Sequence, residues 1–169
     1  MHKAKLTLAQ IALFGMLGAL TFGAKVAMSG LPNIEPVSLM VMLFAVVFGW
    51  KCVFPIYLYV LLELILFPVN LWSINYLYIW MLLAMGAMAM KRLKNPFWWA
   101  LLSGFFGISF GFLCTPVYMI LFGWQYALRW WALGFGFDIP HAIGNFVIAL
   151  LLFYPLRQLL EKLYTRLRK

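Results

Sequence analysis

From Pro96 to Phe122 the chain carries no Asp, Glu, Lys, Arg or His. A run of this kind is either wrapped by protein on every side or lies in lipid. The rest of the sequence decides between the two. Of 169 residues, 66% are hydrophobic and 10% charged, against roughly 25% charged in an ordinary soluble domain. Too little polar surface exists to cover a globule, so the bilayer is the solvent. A spanning helix needs about 20 mostly apolar residues. The sequence is therefore expected to form an all-α integral membrane protein, a single domain over 1–169. Six transmembrane helices are expected near 7–29, 37–50, 52–68, 72–90, 97–122 and 139–156. The second and third are short and are separated only by Gly49, Trp50 and Lys51. Pro55 suits the first turn of the third helix, and Pro116 lies deep in the fifth, where a kink is expected. The first apolar run is too long for the core of a cleavable signal and lacks a cleavage site, so it is expected to remain.

Charge orients the spans. Under this reading Lys3, Lys5, Lys51, Lys91, Arg92, Lys94, Arg157, Lys162, Arg166, Arg168 and Lys169 share one side, 11 of the 13 Lys and Arg residues. The positive-inside rule makes that side cytoplasmic, with both chain termini on it. Cations that flank helices account for the net charge of +9, and no basic, aromatic-interleaved face is left to bind nucleic acid. The segment "RQLLEKLYTRLRK" reads as a cationic amphipathic continuation of the last helix, at the headgroup surface or against a partner.

The polar residues then sort to the outer half. Ionisable groups inside a span are costly and face a cavity or one another. Glu63, inside "YVLLELILF", is the clearest case, with Lys25 or Arg129 as its available counter-ions. His141 and Asn145 are four apart, hence on one face of the last helix. Asp138, three before His141, reads as the N-cap of that helix, with Pro140 in its first turn. Aromatics gather nearby, among them Trp72, Tyr76 and Trp130, beside the amide of Asn75. Aromatics with a few convergent polar groups are the usual lining of a small-ligand cavity. The connection "LPNIEP" cannot continue a helix, so it is expected to fold over that cavity as a lid carrying Asn33 and Glu35. The expected binding set is thus Asn33, Glu35, Glu63, Trp72, Asn75, Tyr76, Trp130, Asp138, His141 and Asn145. Each also has a plain structural reading, as a helix cap, an ion pair or an interhelical hydrogen bond.

Along the first helix, Gly15, Ala19, Gly23 and Ala27 recur every four residues. Such a ridge lets another helix approach closely, either a neighbour in this chain or a separate subunit. No P-loop, kinase or hydrolase signature is present. Cys52 and Cys114 have no metal-site spacing, and neither a cofactor nor a metal is expected. Any active transport must therefore draw on a partner or an ion gradient.

These stretches resemble the substrate-binding S components of energy-coupling factor transporters, the ATP-driven vitamin importers of bacteria. The likeness is carried by the small-residue ridge, "LPNIEPVSL", "LWSINYLYIW", "KNPFWWALLSGFFGISFGFLCTPVY" and "GFGFDIPHAIGNFVIALLLFYPL", in that order over nearly the whole chain. Two glycines in the ridge depart from the family's alanine-rich pattern. The resemblance implies six helices in the bacterial plasma membrane and a site opening outward under the first loop. It implies that Gly15, Ala19, Gly23 and Ala27 dock on a transmembrane coupling subunit, with two separate ATPase subunits supplying energy. The chain would be a binding subunit, not an enzyme. Among vitamins cobalamin is the first expectation. Pantothenate, whose carboxylate would face Lys25 or Arg129, and a thiamin-like cation, which would face Glu63 or Glu35, are the alternatives. Two other classes stay open on the residues alone. One is a small membrane enzyme acting on a lipid through His141, Asp138 and Glu63, and the other is a structural assembly protein.

Overall fold

The computed structural model describes residues 6–31 and 33–167. Among these it is all helical: α1 Leu8–Ala27, α2 Val37–Phe48, a 3-10 turn Gly49–Cys52, α3 Val53–Leu66, α4 Leu71–Ala89, α5 Pro96–Phe122 and α6 Trp124–Arg166. Local chemistry fixes most of the starts. Thr7 and Gln10 form a reciprocal capping box on α1. Asn70 caps α4 through the Trp72 N–H at 2.9 Å, and Asn95 caps α5 through the Phe97 N–H at 2.9 Å, with Pro96 in the first turn. These side chains satisfy donors that a helix start otherwise leaves unpaired.

Five helical segments are long and apolar enough to cross a membrane. The expected second and third spans fall within one of these, Val37–Leu66, because only the 3-10 turn separates α2 from α3. The chain reverses at that turn: Phe48 ends α2 against Phe14 at 4.9 Å, and Lys51 opens the way back beside Gln10 at 3.2 Å. Gly49 turns the chain there with φ +59, a conformation that costs glycine nothing.

Contacts along the helices give their directions. Gln10 meets Lys51 at 3.2 Å and Lys25 meets Glu63 at 2.6 Å, so α1 and α3 run parallel. Between them Gly18 lies so close to α3 that an added Cβ would stand 2.9 Å from the Pro55 carbonyl. α5 and α6 are antiparallel, with Trp99 stacked on Phe153 at 4.3 Å and Tyr118 on Trp130 at 4.0 Å. The last turns of α6 outrun α5 and return to the start of the chain. Tyr164 meets Phe48 at 4.8 Å and Phe14 at 6.4 Å. The two ends of the described chain therefore lie at one end of the bundle. Lys3, Lys5, Arg168 and Lys169 fall outside the described residues. The cationic segment after Tyr154 is helical as expected, with Leu160 and Tyr164 buried one turn apart and an Arg157–Glu161 pair at 2.8 Å on its surface.

One boundary expectation is corrected. The last helix does not begin at 139. It starts at Trp124, one residue after α5 ends, and runs 43 residues, about 64 Å at 1.5 Å per residue. Asp138 is thus mid-helix and caps nothing, and Pro140 lies in the interior. Packing against α5 overrides the local break. A Cβ on Gly107 would fall 2.8 Å from Ala142 Cα, and one on Gly104 would fall 3.2 Å from Phe146 Cβ. Those glycines bring the two backbones together, and the helix continues through Pro140 beside that contact. The turn between them needs only Gly123, at φ +85.

The small-residue ridge of α1 faces away from the rest of the chain. Ala19, Gly23 and Ala27 are exposed, Gly15 is half-buried, and neither Gly15 nor Gly23 has anything within 4 Å of an added Cβ. The close approach within the chain is made instead by Gly18, on a neighbouring face of the helix.

Candidate functional site

A cavity of about 870 Å³ opens at the end of the bundle where Lys25 and Glu63 meet. Its roof is the connection from α1 to α2. Successive turns shape that connection, with the Leu31 N–H bonded to the Met28 carbonyl at 2.9 Å and the Ile34 N–H to the Leu31 carbonyl at 3.1 Å. Asn33 adopts φ +59, a left-handed conformation that asparagine tolerates better than most residues. Ile34 pins the roof to α6: its Cγ1 would be 3.1 Å from a Cβ on Gly144. A larger residue at 144 would lift the roof.

One wall is aromatic. Trp72 of α4 stacks on Phe110 of α5 with centroids 6.0 Å apart, and lies 5.6 Å from Trp130 of α6. Tyr76 continues that wall one turn below Trp72, against the fully buried Trp80 at 5.4 Å. The floor is α6. Asp138 is 6% exposed, and its Oδ1 accepts the Gly111 N–H at 3.2 Å. Gly111 permits this: any side chain there would meet Asp138, since a Cβ would lie 2.6 Å from Oδ2. His141, 5% exposed, packs edge-on against Phe110 at 5.0 Å. Among the described residues, neither Asp138 Oδ2 nor His141 Nε2 has a hydrogen-bond partner.

The third side carries the ion pair. Lys25 Nζ donates to Glu63 Oε2 at 2.6 Å and sits over the rings of Phe67 at 5.4 Å and Tyr76 at 5.6 Å. Glu63 is 8% exposed, and a buried carboxylate of this kind needs its counter-ion. Glu35, in the roof, has no such direct pair. Burial pushes its carboxyl up to about 7, with Lys25 opposing and Glu63 adding to the shift.

Eight of the ten residues expected in the site line this cavity: Asn33, Glu35, Glu63, Trp72, Tyr76, Trp130, Asp138 and His141. Asn75 and Asn145 do not. Asn75 is fully buried, donating to the Leu71 carbonyl at 3.1 Å, with its Oδ1 3.0 Å from the Tyr78 hydroxyl. That hydroxyl also donates to the Leu113 carbonyl at 2.6 Å, so Asn75 helps lock α4 to α5. Asn145 donates to Ser38 Oγ at 3.0 Å and ties α6 to α2. It lies one turn below His141, past the cavity floor. Of the two counter-ions open to Glu63, Lys25 is the one used, and Arg129 does not line the cavity. Phe110, Gly111, Trp131 and Phe137 line it without having been expected as site residues, and so does Lys25, expected only as a counter-ion or as the partner of a ligand carboxylate. Phe110 and Gly111 had a signal in the sequence: they continue the glycine face of α5 by one turn, and a face that admits a neighbouring backbone also admits a polar side chain from it.

Compared with protein-family models, with curated proteins and with solved structures, the chain matches none.

Proposed function

We propose that this chain is the ligand-capturing subunit of an importer, of the kind represented by the S components of energy-coupling factor transporters, and that it binds a water-soluble vitamin at its outward end. The observation that carries the reading is the roofed cavity of about 870 Å³, lined by aromatic rings and by buried polar groups that no protein atom satisfies. Cavities of roughly 300–1,000 Å³ with such a lining enclose drug-sized ligands. The outward-facing ridge Gly15, Ala19, Gly23 and Ala27 supports the same reading, because no helix of this chain covers it. It is the surface on which a transmembrane coupling subunit, carrying two ATPase subunits, would dock.

The cavity's size bears on the ligand. A corrin ring with its side chains exceeds a drug-sized molecule, so cobalamin would protrude past the roof, whereas a vitamin of pantothenate or thiamin size would be enclosed. That moves the smaller vitamins ahead of cobalamin. The test is calorimetric titration of the purified chain against cobalamin, pantothenate, thiamin, riboflavin, folate and pyridoxine. Submicromolar binding of one is the expected result. Absence of binding by the chain and by its assembled complex would reject the reading.

A further inference from the structure

The ionisable side chains around the cavity, if the binding reading above holds, say what kind of ligand it takes. They are Lys25, Glu35, Glu63, Asp138 and His141. The only lysine among them is already held by Glu63 at 2.6 Å. Among the described residues Glu35 and Asp138 form no ion pair. Asp138 receives one backbone N–H on Oδ1 and nothing on Oδ2, although the residue is 6% exposed. His141 Nε2, 5% exposed and one turn along, is also unpartnered. Buried polar atoms are costly unless something pairs with them. Facing them is a wall of Trp72, Trp130 and Phe110, and aromatic faces attract cations. The protein's own lysine shows that this end of the bundle accepts a cation against rings, at 5.4 Å from Phe67 and 5.6 Å from Tyr76.

We propose that the cavity is charge-selective: it takes an aromatic ring bearing a positive charge or a hydrogen-bond-donor edge, and it rejects anions. The ring lies against Trp72 and Trp130, and its charged or donor edge faces Asp138 and Glu35. An anion in the same place would meet two carboxyl groups and a lysine already committed.

Three pyridine derivatives of similar shape separate charge from fit: 1-methylnicotinamide, methylated on the ring nitrogen, nicotinamide and nicotinate, a cation, a neutral molecule and an anion. Each is titrated calorimetrically into the purified full chain at millimolar concentrations. The cation is expected to bind roughly tenfold or more tightly than the anion, with the neutral ring between them. Asp138→Asn and Glu35→Gln are each expected to cut that preference roughly threefold or more. If Asp138→Asn fails to fold, Glu35→Gln, in the roof connection and outside every helix, carries the mutational arm. Nicotinate binding as tightly as the cation would overturn charge selectivity and leave the capture function standing. Silence from all three would also overturn it. The vitamin titration on the same preparation then shows whether the capture function falls as well.

Discussion

Lys25 and Glu63 are the residues on which the cavity end most depends. The pair joins parallel helices through a contact of 2.6 Å, and breaking one partner of a buried pair leaves the other charge uncompensated. Lys25→Met is expected to destabilise the fold by about 3 kcal/mol, and Lys25→Met with Glu63→Leu by less than Lys25→Met alone. Thermal unfolding in detergent reads both. Glu35 acts on stability through pH. Its folded-state value of about 7 lies above the ordinary 4.5, so between those values the folded chain holds a proton that the unfolded chain has released. Stability therefore falls as pH rises through that window. Melting temperatures at pH 5 and pH 8 are expected to differ in that direction, and Glu35→Gln to shrink the difference. At this scale the sequence is partly legible. His141 and Asn145 share a helix face and a four-residue spacing, which says that both point inward. It does not say at what depth a cavity ends, and one turn separates a floor residue from an interhelical tie.

At the scale of elements, two glycine-bearing helix faces do opposite things. On α5, Gly104 and Gly107 bring the α6 backbone close, and Gly111 makes room for the Asp138 side chain. Gly107→Leu has no room, and a cost of about 3 kcal/mol or loss of folded protein is expected. On α1, Gly15 and Gly23 face open space. Gly15→Ala with Gly23→Ala is expected to raise the melting temperature, since alanine fits there and favours a helix interior. Gly15→Leu with Ala19→Leu should leave ligand binding intact and abolish co-purification with a coupling subunit. Uptake that survives the double leucine variant would remove the docking role. Both faces are visible as small residues at helical spacing, and nothing in that spacing says which is covered from within the chain. The start of α6 was illegible for a related reason. Gly134, Gly136, Asp138 and Pro140 read locally as a stop and a new start. The α5 glycines, nearly thirty residues earlier, supply the packing that overrides them.

For the whole molecule, apolar length and the position of cations were enough to give an all-helical membrane chain and to gather most of the cavity lining at one end. What they could not give was how closely α2 and α3 connect. Each is shorter than about 20 residues, and only the turn at Gly49 shows how they connect. The cavity itself is assembled from distant parts of the chain: roof and lysine from the first third, aromatic wall from α4 and α5, floor from α6. That arrangement has a consequence for biosynthesis. Roof, ion pair and half the wall leave the ribosome before the floor exists. A chain stopped short of Asp138 would hold the Lys25–Glu63 contact yet have no place for a ligand to rest. Added ligand should therefore protect chains that include α6 from protease and leave chains arrested before Asp138 unprotected. α6, which supplies the floor and also returns at Tyr164 to Phe14 and Phe48, is thus the element whose insertion completes the cavity.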